Sequence, residues 1–294
     1  MPAPRVLMMS VLLLGELTGS AAGLDHSAWD QLLKQYVTAE ARVDYRGLKE
    51  KDLPKLDAYL STLAAPWPAD MTAEARKAAL INAYNALTVH WIIEHYPVAS
   101  IQSTKDPFTA ARHRVNGEML SLDQAEGRLR DMGDPRIHSA VICAARSCPP
   151  LRGEAYVAER VDEQLDDNTR RWLANGSLNE FDAAAKRARV SPIFKWYAGD
   201  FGSEADLRNF LRRYAPDDRS EFLSDSSARV EYQGYDWGLN ETADAAAPYP
   251  QWRLYLDFVR NHRFFNLGAI LLAGALVGWV VYRRLGRTRA GESP

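Results

Sequence analysis

Two cysteines, Cys143 and Cys148, are all that the 294 residues contain, and this scarcity removes several classes of protein. Two thiols cannot build a disulfide scaffold, and a C-x4-C spacing with no further Cys or His at short intervals is not a zinc pattern. The sequence therefore predicts no metal and no cofactor. Excess positive charge is also missing. With 36 Lys and Arg against 38 Asp and Glu, the net charge of -2 leaves no electrostatic footprint for nucleic acid, which would require cations to neutralise phosphates. There is no internal repeat. The hydrophobic and charged fractions, 47% and 25%, are those of an ordinary globular chain able to bury a sizeable core.

Long apolar runs are confined to the two ends. Arg5 precedes the apolar run 6–14, which is too short to span a bilayer, and Ser20-Ala21-Ala22 supplies small residues where a signal peptidase would cut, so residues 1–22 read as a signal peptide. Residues 264–282 are 19 positions without a charge, followed by Arg283, Arg284, Arg287 and Arg289. A helix of that length rises about 28 Å, enough for the hydrocarbon core, and Trp279 and Tyr282 fall where an interfacial belt is expected. A cleaved signal followed by such a span places residues 23–263 outside the cytoplasm and 283–294 inside. The expectation is a single-pass protein of the cell membrane whose domain faces the periplasm or extracellular space.

Between these ends the pattern is more helix than strand. Helices are predicted over 27–38, 54–63, 155–173 and 203–214, with the strongest over 72–96, where Thr72 is an N-cap and Pro97 a stop. Its apolar positions cover so much of its surface that it should run through the core. Asn82 and Asn85 interrupt that surface on one face, and buried amides of this kind typically tie a loop to a helix through its backbone. Asn116-Gly117 marks a tight hairpin, Ser121 with Gln124 a capping box that places Glu126 in a second helical turn, and 229–232 a strand. The aromatic run 194–197 and Asp200-Phe201 read as core. Residues 241–263 read as a linker and juxtamembrane segment. The soluble part, 23–240, is thus one α+β domain, with a buried central helix and a small antiparallel sheet.

Chemistry concentrates in 134–151, where both cysteines lie within eleven residues of His138. The apolar stretch 137–145, bounded by Asp-Pro and Ser-Cys-Pro-Pro, reads as a buried strand. Alternation on a strand puts His138 and Cys143 on opposite faces, which leaves Cys148, in the loop stiffened by Pro149 and Pro150, as the partner for the imidazole.

Taken together, Ile81-Asn82-Ala83-Tyr84-Asn85, Ser121-Leu122-Asp123 with Glu126, Asp134-Pro135-Arg136-Ile137-His138, Cys143-Ala144-Ala145-Arg146-Ser147-Cys148-Pro149-Pro150, Phe194-Lys195-Trp196-Tyr197 and Tyr235-Asp236-Trp237 resemble the domain-of-unknown-function family 547. The resemblance is close over 79–201 and implies no established activity. One departure is Gly127, where relatives carry a polar residue, so no role at that position transfers. The family is sometimes likened to papain- and transglutaminase-like cysteine hydrolases, which place a Cys at the start of a central helix and a His on a following strand. Here the helix over 72–96 contains no cysteine, so the likeness concerns fold and does not establish function.

Three readings of function follow. In the first the domain is a cysteine hydrolase or acyl transferase, with Cys148 as nucleophile, His138 as base, and Glu126 or Asn85 orienting the imidazole. In the second Cys143 and Cys148 form a structural or redox-active disulfide, which requires 144–147 to turn back so that the Cα atoms come within about 7 Å. The third is a non-catalytic module that binds an unknown cell-envelope ligand or peptide in a cleft near His138, tethered to the membrane by its single span.

Overall fold

The computed structural model describes residues 23–242 and the positions 252, 253 and 256. The expected signal peptide, span over 264–282 and tail lie outside the described residues, and among the described residues no helix is long and apolar enough to cross a membrane.

The organising element is α4 (Ala73–His95). Thr72 caps it by accepting from the Ala75 N–H at 3.1 Å, Glu74 places a negative charge in its first turn, and it ends where Tyr96, ahead of Pro97, turns to extended backbone. Every residue from 78 to 89 is buried, so the helix has no solvent face over these turns. Around it pack α2 (Tyr45–Lys51), α3 (Leu53–Ala64), α5 (Leu122–Arg130) and α7 (Val161–Ala174), while α1 (Ser27–Tyr36) closes over α2 and α3. Of these, α2 was not evident in the sequence; Asp44, whose Oδ1 accepts from the Gly47 N–H at 2.8 Å, starts it.

Strands β1 (His113–Val115) and β2 (Glu118–Leu120) form the expected hairpin, with Asn116 and Gly117 both at positive φ as a tight turn of this hand demands. The chain then enters α5 through the expected capping box: Ser121 Oγ accepts from the Gln124 N–H at 3.1 Å, and Gln124 Oε1 accepts from the Ser121 N–H at 2.8 Å. The second sheet departs from expectation. β3 (Glu180–Asp182) and β4 (Arg187–Val190) are antiparallel, but β5 (Arg229–Tyr232) joins β4 in parallel, so the sheet is mixed, because the long excursion through α10 (Glu204–Tyr214) lets the chain return in the same direction. The α+β class and the helix-rich domain around a buried helix are as expected.

The largest local correction falls on 137–145. Ile137–Ala140 is one turn of helix, α6, followed by extended backbone that joins no sheet. Asp134 sets up the turn by accepting from the Arg136 N–H at 3.1 Å, and Val141 N–H reaches Ile137 O at 3.1 Å. What a neighbouring strand would have supplied comes from α4 instead. Asn85 Nδ2 donates to Ala140 O at 2.8 Å, and its Oδ1 accepts from the Ile142 N–H at 3.0 Å. Asn82 treats Tyr156 the same way, at 2.8 and 3.0 Å. Both amides therefore serve the backbone, as the sequence predicts for buried asparagines.

Candidate functional site

A cleft of about 210 Å³ opens over one flank of α4 and α5. Tyr84 of α4, Glu126 of α5 and His138 of α6 lie along it with Cys143 and Cys148. The aromatic side is built by Phe108, by Trp196, the last residue of α8 (Ile193–Trp196), by Tyr197, and by Tyr235 and Trp237.

His138 is 2% exposed, and its Nε2 lies 2.7 Å from Asp200 Oδ2. Asp200 belongs to α9 (Ala198–Phe201) and is gripped by Arg130 at the end of α5, with Nε and Nη2 at 2.6 and 2.9 Å from its two oxygens. That fork holds the Asp200 carboxyl below its ordinary range, so it is ionised and accepts from an Nε2–H. The tautomer of His138 follows from this partner: Nδ1 is left as the unprotonated nitrogen, 3.8 Å from Glu126 Oε1. Burial pushes the His138 pKa down, against the pull of Asp200, which favours the neutral ring. The ring packs against Tyr197 and Phe201, at 4.2 and 5.5 Å between centroids, and Arg130 covers the Tyr197 ring at 5.1 Å.

Glu126 is 6% exposed, and its pKa is raised chiefly by burial, while hydrogen bonds from the Tyr197 and Tyr84 phenols oppose the rise. Both phenols are themselves pushed up by burial and remain donors. The floor of the cleft thus pairs a neutral basic nitrogen with a carboxyl of raised pKa. Such a pair can exchange a proton with a ligand or hold its polar end.

The two sulfurs are joined. Cys143 and Cys148 form a disulfide with their Cα atoms 6.2 Å apart. The turn-back that this requires is made at Ala144, a non-glycine residue at φ 57°, and by Cys148 N–H donating to Ala145 O at 3.1 Å. Tyr235 Oη lies 3.0 Å from Cys143 Sγ and 3.2 Å from Cys148 Sγ. The loop is further tied to the segment after Tyr235: Arg146 N–H donates to Gly238 O at 2.8 Å, and Asp236 N–H donates to Ser147 Oγ at 2.8 Å. In this form neither sulfur is a nucleophile.

Of the four residues singled out in the sequence, Cys148, His138 and Glu126 meet along the cleft. Asn85 does not reach the imidazole, because both ends of its amide are occupied by the backbone of Ala140 and Ile142. The group that orients the ring is Asp200, which sequence reasoning missed together with Arg130. Its only local sign is an acid three positions after Tyr197, one helical turn on, in a segment whose aromatics read as core. Among the described residues no group of three or more His, Cys, Asp and Glu side chains is placed to hold a metal.

Fold and site together define a helix-rich α+β domain with an aromatic-walled cleft over a buried histidine–carboxylate pair. Residues 68–173 match the family described as "Protein of unknown function, DUF547". The match runs from just before α4 almost to the end of α7, so it includes Glu126, His138 and both cysteines, while Asp200 and 235–237 come after it. No curated protein and no solved structure matches the chain.

Proposed function

We propose that the chain is a membrane-tethered cell-envelope protein whose extracytoplasmic domain binds a small ligand in the cleft over His138, with the Cys143–Cys148 disulfide as a structural part of the wall. The observation that carries this reading is the pairing of the two sulfurs inside the lining of a cleft that already holds an ordered acid–base pair. An oxidising compartment favours that pairing, which is consistent with the signal peptide and span read from the two ends of the sequence. A binding module does not need a thiol. Replacing both cysteines by Ala should therefore weaken, without abolishing, ligand-induced changes in tryptophan fluorescence, since one wall loses its closure while Trp196 and Trp237 still line the cleft. Loss of every ligand response in that variant, together with two alkylatable thiols in the native chain, would overturn the reading. The tether has its own test: a reporter active only in the periplasm, fused after Pro294, should be silent.

A second reading keeps the cysteine hydrolase or acyl transferase. It is favoured by one observation, that Cys148 and His138 line the same cleft. It requires a dithiol to reduce the disulfide, after which the Cys148 thiol would pass its proton to the imidazole and attack the acyl carbon of a thioester, expelling a thiolate that takes the proton back, before water releases the acyl group from Cys148. Hydrolysis of model thioesters that appears only after reduction and vanishes in Cys148→Ser would favour it over the binding module.

A further inference from the structure

The charged side chains that line the cleft are all of one sign. They are Asp123 and Glu126, and among the described residues no lysine or arginine lines it. The two arginines nearest in the network are committed elsewhere, Arg130 to Asp200 at 2.6 Å and Arg146 to Asp236 at 3.5 Å. His138 adds no positive charge while its ring is neutral, the state that burial favours.

The facing wall is aromatic. Trp196 and Trp237 lie nearly parallel, 19° apart in plane and 6.0 Å between centroids, with Tyr235 at 4.9 Å from the first and 4.8 Å from the second. Such a wall would be ordinary core were it covered, but Trp196 is 50% exposed, an unusual loss of apolar burial for the largest side chain. The faces of these rings carry negative quadrupolar charge and attract cations, tryptophan most strongly. The volume of about 210 Å³ lies below the roughly 300 to 1,000 Å³ of cavities that take drug-sized ligands, so the occupant is small.

We infer that the cleft selects a small organic cation, an alkylated or quaternary ammonium compound held between the Trp196–Trp237 wall and the Glu126 carboxylate. The inference rests on the binding-module reading and names the ligand class for it. A neutral sugar could use the same tryptophans, and a cation differs from it in requiring the acid. No anion fits, because a further negative charge beside Asp123 and Glu126 would be repelled.

Choline chloride and its uncharged isostere 3,3-dimethylbutan-1-ol provide the test, titrated calorimetrically at pH 8 into the full-length chain in an uncharged maltoside detergent. Choline should bind about tenfold more tightly than the isostere. Trp196→Ala should weaken it about fivefold, as expected for loss of one cation–π partner, without lowering the melting temperature, because the ring is half exposed. Glu126→Gln, which keeps the shape and one acceptor oxygen but removes the charge, should weaken choline and leave the isostere unchanged. Equal affinity for both probes would overturn the cation while leaving a binding cleft. Failure of choline to bind at 50 mM, or binding indifferent to both variants, would also overturn it. The binding-module reading falls separately, on the double-cysteine test above.

Discussion

The buried amides of α4 and the buried ionisable groups of the cleft meet the same problem, a polar side chain in an apolar setting, with different partners. Asn82 and Asn85 spend donor and acceptor alike on backbone, each closing a two-bond clamp on a distant segment. His138, Glu126 and Asp200 are partnered by one another, by phenols and by Arg130, and their pKa values move as a result. A group satisfied by backbone has a single stable state and can only hold structure. A group satisfied by other titratable groups keeps two protonation states within reach and can respond to a ligand. Burial does not separate the two sets, since His138 and Glu126 are almost as fully buried as the two asparagines; what does is a proton to gain or lose and a titratable partner to answer it.

The largest effect that would sharpen this contrast comes from acid. His26 and His113 are buried, with Asp25 favouring the charged form of the first and Arg112 and His90 opposing that of the second: His26 Nδ1 meets the Tyr59 hydroxyl at 2.8 Å, and His113 Nε2 has no hydrogen-bond partner among the described residues. Burial lowers both to about 4. Because the folded pKa lies below the unfolded value of 6.5, each ring contributes stability that is present above pH 6.5 and lost as pH falls toward 4, about 3 kcal/mol apiece. Urea unfolding at pH 7.5, 5.5 and 4 should show the decline, and His113→Gln should remove about one proton from the uptake. An unchanged proton uptake in that variant would show that the ring is not buried neutral.

Next in size is the loss of a backbone clamp. Asn85→Ala leaves Ala140 O and Ile142 N–H without their partner inside the core, and Asn82→Ala does the same to Tyr156. Each should cost about 3 kcal/mol, near 10 °C in melting temperature for a chain of this size. If Asn85→Ala melted like the wild type while abolishing ligand binding, the amide would belong with the cleft groups and the comparison would break. The smallest effect on stability is expected from Asp200→Asn. Asp200 raises the His138 pKa and Arg130 lowers it, so removing the carboxylate takes away the favourable partner and leaves the unfavourable one. The His138 titration, followed by proton NMR, should move to lower pH; an upward move would mean that Asp200 does not face the ring.

Much of this was legible in the sequence wherever a signal is local. Thr72 and the Ser121–Gln124 capping box each fix their own element through bonds to residues no more than three away, Asn116-Gly117 fixes its turn by left-handed backbone, and all three read correctly. Residues 137–145 failed for the opposite reason. A short apolar run is compatible with strand or buried helix alike, and what decides between them is Asn85, about 55 positions upstream, which supplies by side chain the hydrogen bonds that a neighbouring strand would give. With the strand goes the argument from alternating faces: His138 and Cys143 both line the cleft, because one sits on a helical turn and the other on the extended segment after it. Asp200 was hidden by distance, 62 residues from the ring it orients. The turn-back of 144–147 could be stated only as a condition, and the left-handed backbone at Ala144 meets it.

The link between Cys143 and Cys148 means that one wall of the cleft is finished by oxidation and not by folding alone. A chain held where thiols stay reduced would keep the helices around α4 but lack the covalent closure against which Tyr235 rests. The shape of the cleft therefore carries the history of the compartment in which the polypeptide matured, and material produced in a reducing cytosol and material matured in an oxidising compartment are two different reagents.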